Sequence, residues 1–260
     1  MRGTPEPGDH PGDSGRLNAQ VVNWAQMHDC HGDVDRVPEL LARAEHEDDA
    51  AAWDELGYRL VLECDLVFPA SFAALPRLVR LASGSARARG LAGAIVRCGA
   101  GRHGCDDLLA GCAEATAELR GLLDRHLRSR PDDYLAAFRD MLATEGHYHW
   151  SAVLGDFSDD FYQVACPHCA VEVTIAIGGY GRYSAIRDWN LGDVDRRDLR
   201  PASPEGLSGT GRRMYETVVR DGQAVLADGI THLFGRAECP RCASVFGIAD
   251  EYEASHRPRM

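Results

Sequence analysis

Cys166-Pro167-His168-Cys169-Ala170-Val171-Glu172-Val173 and Cys239-Pro240-Arg241-Cys242-Ala243-Ser244-Val245-Phe246 are the two stretches that decide how this chain folds. Two residues between cysteines is the spacing at which a tight turn points both thiolates at one ion. Two such knuckles complete the tetrahedral four-sulfur shell that zinc favours. Both read Cys-Pro-x-Cys-Ala, and both run into apolar residues of strand type, Val171–Ile177 and Val245–Ile248. The pattern predicts a structural zinc ion on Cys166, Cys169, Cys239 and Cys242, held in a zinc ribbon. A thioredoxin-like redox pair would need a helix after the motif, where strands are expected. A catalytic zinc would need an open coordination position, which four thiolates do not leave. Unrelated buried cysteines are the remaining alternative, and His168 reads as an exposed knuckle side chain.

The long gap from Cys169 to Cys239 splits the ribbon. After Phe161–Val164 and Val171–Ile177, which alternate as strands do, Gly178-Gly179-Tyr180-Gly181 makes a turn. Residues 186–202 read as polar loop. Pro204–Leu226 reads as a helix, followed by a helical piece to Phe234. The expectation is a split ribbon over 156–253 with a helical insertion at about 186–234.

Upstream, residues 17–155 read as helices. Apolar residues recur at three- and four-residue spacing in a short helix opened by Val37-Pro38, then over Ala50–Glu63, Pro69–Ala82, Arg87–Val96, Asp106–Arg128 and Pro131–Thr144. Pro76 is expected to kink the third of these. Short Gly- or Pro-marked breaks between successive helices predict stacked antiparallel pairs in the HEAT or armadillo style. The expected fold class is therefore mainly α: a HEAT-like stack followed by a small β zinc ribbon. Residues 1–16, rich in Pro, Gly and acids, are expected to be a disordered tail.

Composition narrows the function classes. The chain has 260 residues and a formal net charge of −12. Neither half carries the basic excess that phosphate neutralisation needs, so nucleic acid is a poor default partner. All 28 basic residues are arginine. Without lysine there is no Schiff-base or P-loop lysine chemistry, and Arg-only, Ala- and Gly-rich usage suggests a GC-rich bacterial genome. No segment approaches the roughly 18 apolar residues of a membrane span, and the N-terminal stretch lacks a signal-peptide apolar region. A cytoplasmic protein is expected, with no membrane partner. Nine cysteines, an odd number, argue against a secreted disulfide framework.

Several weaker constellations could carry chemistry. Glu145-Gly146-His147-Tyr148-His149-Trp150 places a His-x-His beside a carboxylate, a possible acid–base group. It reads equally as a helix end anchored by Trp150. Cys64-Asp65 could supply a nucleophile if a histidine approached. His28-Asp29-Cys30-His31 packs three ligand types into four residues, either a second metal site or a polar helix end. Arg196-Arg197 and Arg212-Arg213 could clamp an anion or pair with neighbouring acids.

Phe68-Pro69-Ala70-Ser71-Phe72-Ala73-Ala74-Leu75-Pro76-Arg77-Leu78, then Glu145-Gly146-His147 with Trp150, then Cys166–Cys169, then Leu233-Phe234-Gly235-Arg236-Ala237-Glu238-Cys239-Pro240-Arg241-Cys242, together resemble a group of bacterial proteins. Those proteins have degenerate HEAT-like helices and a split C-terminal zinc ribbon. The resemblance covers roughly residues 20–250. It implies a fold and a metal, and no activity. Relatives carry a His-Gln-Gly segment before the Pro-Ala-Ser turn, where this chain has Glu63-Cys64-Asp65-Leu66-Val67.

The leading functional expectation is a protein-interaction module, an accessory subunit of a heteromeric biosynthetic or resistance system. The alternative is an enzyme with its centre between helices and ribbon, built on Glu145, His147, His149 and Cys64-Asp65. Nucleic-acid binding is a third reading, disfavoured by charge.

Overall fold

Polar side chains at the helix starts decide where the first elements begin. In this computed structural model, which describes residues 23–24, 27–33, 35–47, 49–63, 66–102 and 104–256, the carboxylate of Asp49 accepts from the amides of Ala51 and Ala52 at 2.9 and 3.2 Å. That caps the helix α2 (Ala50–Leu60), which follows α1 (Arg36–Glu47). The expected tail at 1–16 and the Cys64-Asp65 pair lie outside the described residues. Ser71 is fully buried. Its hydroxyl accepts from the Phe68 amide at 3.0 Å and donates to the Leu60 carbonyl at 2.6 Å. One side chain thus ties the start of α3 (Pro69–Leu81) to the end of α2. A two-strand hairpin, β1 (Val61–Leu62) and β2 (Leu66–Val67), spans the join. The helix predicted to reach Glu63 therefore stops at Leu60.

Three helix pairs follow one another: α1 with α2, α3 with α4 (Ala86–Gly99), and α6 (Ala113–Arg128) with α7 (Tyr134–Thr144). Across the pairs, α1 packs on α3 and α3 on α6, while α2 packs on α4 and α4 on α7. The long helix expected over 106–128 is two: α5 (Asp106–Gly111) and α6, broken at Cys112. Gly111 is a poor helix former there, and the Cys112 thiol donates to the Phe72 carbonyl at 3.4 Å. A short α8 (Tyr148–Val153) closes the helical half.

Four strands then form an antiparallel meander: β3 (Asp159–Ala165), β4 (Glu172–Gly178), β5 (Tyr183–Asp188) and β6 (Gly192–Asp198). The last two correct the loop expected at 186–202, so the insertion is not wholly helical. The Asp188 carboxylate accepts from the amides of Asn190 and Leu191 at 2.7 and 2.8 Å, and Gly192 takes φ +78°, which reverses the chain. β6 is an edge strand with a mostly exposed surface, so its sequence lacks the apolar alternation that betrays a half-buried strand.

The helix expected over Pro204–Leu226 is also divided, into α9 (Gly209–Arg220) and α10 (Ala224–Leu233). Gly222 at φ +74° turns the chain between them. A strand pair, β7 (Arg236–Glu238) and β8 (Val245–Gly247), and a helix absent from the sequence reading, α11 (Ile248–His256), complete the described chain. The result is mainly α, with small antiparallel sheets. One continuous buried core runs from Val37 through Trp150 and Ile175 to Ala249, so the helical half and the sheets share an interior.

Candidate metal centre

Each Cys-Pro-x-Cys stretch folds into the same turn. In the first, the Ala170 amide donates to the Cys166 carbonyl at 2.9 Å and the Cys166 amide to the Val171 carbonyl at 2.9 Å. In the second, the Ala243 amide donates to the Cys239 carbonyl at 2.9 Å and the Cys239 amide to the Ser244 carbonyl at 2.8 Å. Ala170 and Ala243 both adopt the left-handed region at φ +57°. The turns also aim amides at sulfur in matching fashion. Cys166 receives the N–H groups of His168 and Cys169, and Cys239 those of Arg241 and Cys242. Cys169 receives that of Val171, and Cys242 that of Ser244.

The first knuckle leaves β3 and enters β4; the second leaves β7 and enters β8. The two face each other. Cys166 Sγ lies 3.7 Å from Cys242 Sγ, and Cys169 Sγ lies 3.8 Å from Cys239 Sγ. All four sulfurs fall within 4.8 Å of one another. These separations are far beyond the roughly 2.05 Å of a disulfide. They match the edge of a tetrahedron of sulfurs about 2.3 Å from a central ion, about 3.8 Å. The four cysteines could therefore hold a metal ion. Among the described residues no other group of three or more potential ligands gathers this closely. Cys166 and Cys239 are buried, whereas Cys169 and Cys242 are partly exposed.

The four thiols differ in how readily they ionise: Cys166 and Cys242 are lowered, Cys169 and Cys239 raised. Burial pushes the Cys239 thiol up to about 12. Burial also opposes ionisation of Cys166, but the Ser244 hydroxyl and the amides of Cys169 and His168 outweigh it and bring that thiol down to about 6. Ser244 sits 3.3 Å from Cys166 Sγ and 3.2 Å from Cys242 Sγ. Its part in the site was not anticipated from the sequence, where its only signal is its place two residues after Cys242.

The other candidates do not assemble with the cysteines. Glu145 forms a two-pronged ion pair with Arg213, at 3.0 Å to Nε and 2.5 Å to Nη2. His147 Nδ1 lies 3.2 Å from the Thr210 hydroxyl. Both contacts reach α9. His149 faces α11 instead, its ring 5.3 Å from Tyr252 and 6.0 Å from His256. Glu145 and His147 thus meet α9, and His149 meets α11. Cys64 and Asp65 lie outside the described residues.

At His28-Asp29-Cys30-His31 the histidines are exposed and the buried residue is Asp29. It pairs with Arg59 at 2.6 Å and accepts the amides of His31 and Asp33. The arginine pairs are engaged locally: Arg212 with Glu216 at 2.7 Å, Arg213 with Glu145, Arg197 with Glu238 at 3.7 Å, and Arg196 over the Tyr183 ring at 4.3 Å.

Comparison with protein-family models, with curated proteins and with solved structures found no match. Among the described residues, no helix is long and apolar enough to cross a membrane.

Proposed function

We propose that this chain is a zinc-braced helical-repeat protein that works as an interaction or accessory subunit for another protein. The layering of α1, α3 and α6 beside α2, α4 and α7 supports the HEAT-like reading, since stacked helix pairs of that class repeat the same neighbour contact from one pair to the next. Four thiolates at tetrahedral spacing support zinc over harder cations, and the matching knuckles on paired strands support a split zinc ribbon. A four-thiolate shell leaves no position for substrate. The ion then contributes to folding, and the surfaces it braces do the binding.

The observation that carries the interaction reading is the tip of the β5–β6 hairpin. Trp189 is 97% exposed and Leu191 78% exposed. The turn that presents them is held by Asp188, so the pair is displayed on an ordered element. Exposed tryptophan is costly in water and is the side chain that most often anchors a protein interface.

The test is purification at native expression level, compared with the variant Trp189→Ala/Leu191→Ala. A protein that co-purifies in near-equal amount, rebinds from purified components and is lost with the variant is the expected result. A wild-type chain that purifies alone, or a partner bound equally by the variant, would overturn the proposal.

A further inference from the structure

The β3–β6 meander carries a small cluster of its own, apart from the main core. Ala176, Tyr183 and Ala185 are buried together there. Strand pairing sets Phe161 opposite Ala176 and Ala176 opposite Tyr183, so these residues share one face of the sheet. On that face the ring of Phe161 lies 5.2 Å from that of Tyr180, and both are exposed. Arg187, two residues before Trp189, reaches over the Phe161 ring at 5.8 Å. The root of the hairpin tip therefore lies against the aromatic pair.

This face already stacks guanidinium groups on rings. Arg187 stands over Phe161, and Arg196 over Tyr183 at 4.3 Å. A carboxylate completes the first arrangement, since Asp193 pairs with Arg187 Nε at 2.6 Å. The exposed Trp189 ring has no cation over it among the described residues, although tryptophan is the ring that holds one best. Carboxylates stand beside it. Asp188 spends Oδ1 on the amides of Asn190 and Leu191, and its Oδ2 has no partner among the described residues. Asp195 is exposed and forms no ion pair among the described residues. The arginines of β6 are engaged elsewhere, Arg196 on Tyr183 and Arg197 with Glu238. Free negative charge beside an open indole complements a guanidinium and repels a phosphate backbone.

We infer that the Trp189 tip takes an arginine-bearing segment of a partner protein. The guanidinium stacks on the indole and pairs with Asp188 or Asp195, and apolar groups beside it meet Leu191. This rests on the interaction reading of the same tip and adds the chemistry of what the tip receives.

The test is fluorescence anisotropy of the full chain at low salt, with a fluorescein-labelled peptide of alternating glycine and arginine and a lysine counterpart of the same length and charge. The arginine peptide is expected to bind about five-fold tighter than the lysine peptide. Trp189→Ala should remove that preference, and Trp189→Phe, which keeps a ring, should retain part of it. Asp195→Asn should weaken the arginine peptide about three-fold; asparagine tolerates the φ of +51° at this position. Asp107→Asn, an equal loss of charge at an exposed position on α5, should leave the affinity unchanged. No binding of the arginine peptide, equal binding of the lysine peptide, a preference that survives Trp189→Ala, an equal effect of Asp107→Asn, or tighter binding of labelled oligothymidylate would overturn the inference. Co-purification tests the interaction reading separately. A partner lost with Trp189→Ala/Leu191→Ala, alongside peptides that show no arginine preference, would sink this inference and leave that reading standing.

Discussion

The indole Nε1 of Trp150 donates to the carboxylate of Glu253 at 2.5 Å, joining α8 to α11 across 103 residues of chain. Around this bond Trp150 packs against Phe234 and Tyr252, with ring centroids 5.1 and 6.0 Å away. Tyr252 in turn meets Tyr162 of β3 edge-on at 5.1 Å. The C-terminal helix therefore clasps the strand that delivers Cys166 to the helical half. Hydrogen bonds to charged groups contribute about 1.5–3 kcal/mol. Glu253→Ala should lower unfolding stability by about that amount in urea titration, in a single transition because the core is continuous. Two separate transitions in the wild type would contradict this coupling.

His149 sits beside the same junction with its Nε2 buried and unpartnered. Burial is the largest influence on it and lowers its pKa below the ordinary 6.5. Glu253 on α11 opposes the shift, while His256, also on α11, reinforces it. The folded form thus binds a proton less readily than the unfolded chain. Stability from this group is fully present above about 6.5, the unfolded value, and declines as pH falls below it toward the lower folded value. The melting temperature should drop between pH 7 and pH 5, and His149→Phe should flatten that slope. An unchanged slope in the variant would assign the pH response elsewhere.

Ser71 satisfies a donor at the start of α3 and an acceptor at the end of α2 from a fully buried position. Ser71→Ala leaves both backbone groups short of a partner. A loss of about 1–3 kcal/mol is expected from chemical denaturation, and a change below about 0.5 kcal/mol would show that the backbone finds other partners.

Ala170 and Ala243 hold the left-handed conformation after each knuckle. A side chain there costs about 1–2 kcal/mol relative to glycine. Ala243→Gly should therefore raise thermal stability and leave metal content unchanged, whereas Ala243→Val should lower both. Destabilisation by glycine would contradict the assigned backbone geometry.

The helical half was largely legible because its helices bury one face each, so residues such as Leu75, Leu78 and Val79 repeat at helical spacing. The cysteine site was legible because its chemistry lies in local spacing that two turns repeat. Three features were not. The β5–β6 hairpin shows no apolar alternation, since β6 is an exposed edge and Trp189 points to solvent. The break at Cys112 depends on a contact with Phe72, forty residues earlier. Helix α11 is short, and its stability comes from packing on β3 and Trp150 rather than from an apolar stripe. For Glu145 and His147 the sequence shows the chemistry of the side chains but not their partners, Arg213 and Thr210.

Metal analysis of the purified chain tests the zinc-braced reading most directly. About one zinc per chain is expected by inductively coupled plasma mass spectrometry, with Cys239→Ser losing the metal and the folded C-terminal half together. A wild-type chain without zinc under metal-replete conditions, or a Cys239→Ser variant that keeps a full equivalent, would contradict it.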